Sequence, residues 1–173
     1  MMTSPGAFLA RHLEAYPWPL SLLVSSAAFG LFFFQTGLDL QHVGHTDLAG
    51  SMTLAALGVL VGSLGLMGIA LVAWLLTRIG GGQRSLAWAV KAFALGYSPT
   101  LVYCLCGLAC NLFLGWNTAL AFGVTGFLWA FGPMLASLRE LTANKTRWSV
   151  TIATSCGLVL LLLWDFLCRQ GGI

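Results

Sequence analysis

GGGQRSLAWAVKAFALGYSPTLVYCLCGLACNLFL, residues 80–114, is the stretch whose reading decides the fold. Gly80, Gly81 and Gly82 stop whatever helix precedes them, because glycine enters positive φ without a Cβ penalty. After them, Arg84, Trp88 and Lys91 recur at i, i+4 and i+7, while Leu86, Val90 and Phe93 take another face. A basic face holding a tryptophan, opposite an apolar one, predicts a short helix over residues 83–95 lying in the membrane interface. The competing reading makes these residues the first turns of a long tilted span. Gly96-Tyr97-Ser98-Pro99 then breaks the pattern. Proline disfavours α geometry in the residue before it and suits the first turn of a new helix, with Ser98 as N-cap. From Pro99 to Leu114 a helix covers roughly 24 Å at about 1.5 Å per residue. A hydrocarbon core is roughly 30 Å thick. Either the helix starts before Pro99 with a kink, or the span is short and other helices line its entrance. Both leave a backbone group near residues 96–99 that lipid cannot satisfy.

The composition fits this membrane reading. Of 173 residues, 58% are hydrophobic and only 8% charged, with a mean hydropathy of +0.89. A soluble domain carries about 25% charged residues, so this chain has too little charge to cover a wetted surface. The reading outward from the central stretch gives an all-α membrane protein with five transmembrane helices and a short interfacial helix before the third. Residues 1–17 form an N-terminal cytoplasmic amphipathic segment around Phe8, Leu9 and Leu13, charged by Arg11 and Glu14. Span one covers about Trp18 to Leu38, with Pro19 in its first turn and Phe32, Phe33 and Phe34 near its end. Span two covers about Met52 to Leu76, span four about Thr118 to Leu138, and span five Trp148 to about Leu167. The tail is residues 168–173.

The basic residues orient the chain. With a cytoplasmic N-terminus, Arg11, Arg78, Arg84, Lys91, Arg139, Lys145 and Arg147 all fall inside and only Arg169 outside. This bias predicts N-terminus in and C-terminus out. It also accounts for the net charge of +3 without a nucleic-acid partner. Arg84, Lys91, Arg139, Lys145 and Arg147 are the expected interfacial cations.

Two stripes of small residues stand out. Gly58, Gly62 and Gly65 share a face of span two, and Ala119, Gly123, Gly126 and Ala130 share one of span four. Small residues let helix backbones approach closely in lipid. The stripes predict packing of spans two and four on each other, or one stripe facing a partner subunit. Pro133 removes a helical hydrogen bond from the carbonyl of Trp129 and kinks span four.

Ligand chemistry is thin. Asp39, His42, His45 and Asp47 share one loop, and His42, His45 and Asp47 form a weak metal candidate without a fourth ligand. Cys104, Cys106, Cys110 and Cys156 lie in apolar runs and read as packing residues. Asp165 and Arg169 pair at i, i+4. There is no Ser/His/Asp set within the spans, no HExxH and no phosphate loop. No cofactor and no enzymatic activity are expected.

The glycine-rich turn Gly80-Gly81-Gly82-Gln83-Arg84-Ser85, the amphipathic stretch, and Gly96-Tyr97-Ser98-Pro99 opening the third of five spans together resemble the Yip1 domain family. The basic segment Arg139 to Arg147 fits the same plan. The resemblance implies a five-span bundle over residues 18–167. Eukaryotic members associate with Rab GTPases and with each other; bacterial members share the fold. The short N-terminal segment here lacks the family's Asp-Leu-Tyr-Gly-Pro motif, which favours a compact, bacterial-type member in an inner membrane. The expected function is a non-catalytic small subunit or scaffold. Its partners are the lipid bilayer and other membrane-protein subunits or a second copy. The alternative is a small membrane transporter or channel, prompted by the breaks at Gly96–Pro99 and Pro133.

Overall fold

The structure is a computed structural model, and it describes Leu9, residues 13–155 and Leu158. Every regular element among them is helical. Four helices are long and apolar enough to cross a membrane: Trp18–His42 (α1), Leu48–Ile79 (α2), Leu86–Leu114, and Ala119–Leu141 (α5). The third is broken into Leu86–Gly96 (α3) and Ser98–Leu114 (α4). Four such spans, not five, are found among the described residues. Residues 146–155 begin a further helix. Apart from Leu158, the rest of the expected fifth span, with Cys156 and Asp165, lies outside the described residues, as do Arg169, Arg11 and most of the N-terminal segment.

Local chemistry sets the ends. Asp47 caps α2, its carboxylate accepting from the Gly50 N–H at 2.8 Å. The other end of α2 closes in a glycine cap. Gly81 takes φ +86°, and the Gly82 and Gly81 amides donate to the Thr77 and Arg78 carbonyls. Ser85 caps α3 by accepting from the Trp88 N–H at 3.1 Å. Gly115, at φ +66°, ends α4 and turns the chain into α5.

Three expectations change. First, α3 is enclosed rather than laid on a surface. Trp88, Ala89, Val90 and every residue from Ala92 to Tyr97 are buried. The helix packs against α1, α2 and α5, so its apolar side meets protein instead of acyl chains. Together α3 and α4 make one broken span, and Tyr97, not Ser98, is the residue between them.

Second, the two glycine stripes do not meet each other. The Gly58–Gly62 stripe packs on α1: a Cβ at Gly58 would lie 2.5 Å from the Phe29 carbonyl oxygen, and one at Gly62 2.6 Å from that of Ser25. Gly30 and Gly37 of α1 complete this seam against Val59 and Ser51. On α5, Gly123 abuts the Phe32 ring and Gly126 backs onto Thr100 and Tyr103 of α4. Ala119 is buried beside the α1 carboxylate described below.

Third, Gly65 takes no part in packing. It is exposed, and only its own helix's Val61 comes near. A π-helical turn over Val61–Gly65 supplies the reason. A π turn holds one residue more than an α turn, so the buried stripe continues as Gly62, Leu66, Ala70, Ala73 and Thr77. The Ser25 hydroxyl donates to the Gly62 carbonyl at 2.7 Å and ties this turn to α1.

Candidate functional site

Three polar or broken places interrupt the apolar bundle. At mid-chain, the α3–α4 break sits at the centre. Tyr97 meets Phe29 edge-on at 4.9 Å between ring centroids, and Phe127 at 5.8 Å. Gly96 lies against α5 at Pro133: a Cβ there would stand 3.1 Å from Met134 Sδ and 3.8 Å from Pro133 Cβ. Gly96, of the first break, and Pro133, which the sequence marks separately, are therefore neighbours. Pro99 and Pro133 each lack an N–H, so the carbonyls of Leu95 and Trp129 lose their i+4 donors. The buried Ser98 hydroxyl has no hydrogen-bond partner, and Thr100 ties the region to α5 by donating to the Gly126 carbonyl at 2.9 Å.

At one end, α1 turns Gln35, Asp39 and His42 to the α4–α5 junction. The sequence pattern predicts a loop at Asp39 and His42; α1 extends through both. Asp39 accepts from Asn111 Nδ2 at 2.9 Å and from the backbone amides of Thr118 and Ala119 at 3.1 and 2.8 Å. A carboxylate from one helix thus caps the start of another, where free amides favour negative charge. Gln35, fully buried, donates to the Cys104 carbonyl, while its Oε1 and the Thr118 hydroxyl have no partner. His42 contacts the Asn117 side chain at 3.2 Å. Asp39 is engaged on α5 and Asp47 caps α2, and His42, the weak metal candidate with His45 and Asp47, faces Asn117. No group of three metal-ligand side chains occurs among the described residues.

At the other end, the glycine-rich turn is clamped. Arg84 reaches Glu140 of α5 at 3.2 Å and Glu14 at 4.0 Å, and stacks over Trp88 at 5.2 Å. Lys91 donates to the Glu14 carbonyl at 3.3 Å. Trp74 donates to the Arg84 carbonyl at 2.9 Å, and Lys145 to that of Gly80 at 2.9 Å. Gly82 is pressed against the Leu141 carbonyl, leaving no room for a side chain. Of the expected interfacial cations, Arg84, Lys91 and Lys145 are tied to the bundle, while Arg139 and Arg147 are exposed.

Sequence reasoning missed Gln35, Asn111, Glu14 and Glu140. Gln35, Asp39 and His42 do recur at i, i+4 and i+7, which signals a polar face on α1. Nothing in the linear chain signals Glu14 and Glu140 meeting at Arg84.

On the outside of α5, Leu128, Trp129 and Gly132 line a shallow depression of about 270 Å³. No atom lies within 4 Å of a Cβ built on Gly132. No family model, curated protein or solved structure matches the chain.

Proposed function

We propose that the protein is a non-catalytic integral membrane protein, a small subunit or scaffold that packs against other membrane proteins or a second copy of itself. The supporting observation is the α5 notch at Leu128, Trp129 and Gly132. It is an open, shallow site on an apolar helix, beside Pro133, which leaves the Trp129 carbonyl without its i+4 donor. A partner helix with a small polar side chain could approach there and supply that donor. The polar groups inside the bundle mostly fasten helix to helix, as Ser25, Thr100, Gln35 and Asp39 do. The test is blue-native electrophoresis of membranes in gentle detergent, with Gly132→Leu as the probe. The wild type should migrate in a larger assembly, and the variant should run as the monomer with unchanged thermal stability. A wild-type band at the monomer mass overturns the reading.

Kinship with the Yip1 domain family belongs to this proposal, supported by the Gly80–Ser85 and Gly96–Pro99 motifs. So do a bacterial inner membrane, a cytoplasmic N-terminus, and a fifth crossing completed by residues 156–167.

A second reading, a small transporter, is favoured by one observation: the α3–α4 break faces Pro133 of α5, beside the unpartnered Ser98 hydroxyl. Transporter sites often lie where interrupted helices meet at mid-membrane. Solute flux into liposomes holding the purified protein, abolished by Ser98→Ala, would establish it. No flux across a metabolite panel sinks it.

A further inference from the structure

Between Thr125 and Leu141, α5 turns Gly126, Ala130, Pro133 and Ser137 inward. On its outer side Leu128 and Gly132 are exposed, and Thr125 and Leu135 are half-buried. These four recur at intervals of three, four and three, the spacing of a coiled-coil seam. The seam ends at the exposed Arg139, about 14 Å from the midpoint of α5 at 1.5 Å per residue, where a charge reaches the headgroups. In a coiled coil each seam side chain is a knob that enters a hole of four residues on the facing helix. For Leu128 of a parallel helix at the same height, those four are Thr125, Leu128, Trp129 and Gly132, at i−3, i, i+1 and i+4. Three of them, Leu128, Trp129 and Gly132, line the depression on α5. Nothing lies within 4 Å of a Cβ built on Gly132. So α5 carries both the hole and the knob that fits it, Leu128 at 62% exposure.

We infer that this seam binds the same helix of a second copy of the chain, so that two α5 helices run parallel and each Leu128 fills the other's hole. The inference rests on the scaffold reading above and names its partner. The membrane imposes the register. Copies of one chain insert with one topology, so a two-fold axis along the membrane normal sets each residue opposite its own counterpart. Leu128 and Gly132 stand about 3 Å either side of the α5 midpoint, and the knobs meet at the centre of the bilayer. No lipid headgroup reaches that depth; an acyl chain does, and is the competing occupant. Trp129 favours protein over acyl chains. Its indole N–H donates to no group among the described residues, tryptophan otherwise collects at the two interfaces, and hydrocarbon holds no acceptor. A second α5 brings its own Trp129 carbonyl, which Pro133 leaves without an i+4 donor, to the same depth. Gly132 lets the two backbones approach closely.

The test uses full-length copies labelled at the N-terminus with a donor or an acceptor fluorophore, mixed in liposomes and read by energy transfer as lipid is added. Wild-type copies should show transfer that falls on dilution. Leu128→Ala removes the knob and should need about tenfold more protein per lipid for the same transfer. Leu64→Ala, on α2 and as exposed as Leu128, should need no more. Both side chains are exposed, so neither variant disturbs the core. Disulfide trapping in membranes checks the register: Leu128→Cys should give a covalent dimer above the background of the native cysteines, and Leu64→Cys should not. No transfer between wild-type copies overturns the inference. If blue-native gels still show a larger assembly, the scaffold reading then stands with a different partner. Transfer unchanged by Leu128→Ala, or equal trapping at positions 64 and 128, also overturns the seam.

Discussion

A leucine at position 62 would enter the seam where α2 crosses the Ser25–Ser26 backbone of α1, and 2.6 Å is all that a first carbon finds there. Overpacking a fitted contact costs about 1–3 kcal/mol, so Gly62→Leu should lower the unfolding midpoint in detergent by several degrees. Gly65→Leu, three residues on, should leave it unchanged, because the π turn swings Gly65 outward. Equal effects would mean that the stripe runs straight and the π turn is absent. Asp39 offers a second contrast at this scale. Asp39→Asn removes the anion from two backbone amides and the Asn111 amide, and unsatisfied donors should cost about 2 kcal/mol. Asp47→Asn replaces one exposed cap with another good one, so thermal melts of the two variants should separate clearly.

α3 tests how a basic amphipathic pattern is used. Ala89, Ala92 and Ala94 point to three sides of the helix and are all fully buried. Leucine at each of the three should destabilise the fold by about 1–3 kcal/mol, read as loss of monodisperse protein on heating. An interfacial helix would tolerate leucine on its lipid side, so one silent position among the three would restore that placement. The pattern misleads because Arg84 and Lys91 do not seek headgroups. Glu140 takes Arg84 at 3.2 Å, with Glu14 beside it, and the Glu14 carbonyl takes Lys91.

At the scale of the whole molecule, the number of crossings sets the side of the C-terminus. Alkaline phosphatase fused after Arg84 or after Lys145 should be inactive in a bacterial host, and fused after Leu167 it should be active. Activity after Lys145 would invert the orientation derived from the basic residues. Inactivity after Leu167 would leave four crossings and both termini on one side.

Composition and periodicity determined the class of this protein by themselves. Low charge and long apolar runs admit little but membrane helices, and Gly80–Gly82 and Ser98–Pro99 mark helix ends near where they occur. These are local properties, fixed by backbone sterics and by the hydropathy of a few adjacent residues. Which faces meet was not local. The glycines of α2 found α1 instead of α5, since hydropathy does not tell one apolar face from another and close shape fit, with a few polar ties, selects the neighbour. Asp39 left its loop for the amides of α5, and Gly96 found Pro133 across the bundle. Such pairings depend on residues far apart in the chain, and the fold alone brings them within reach.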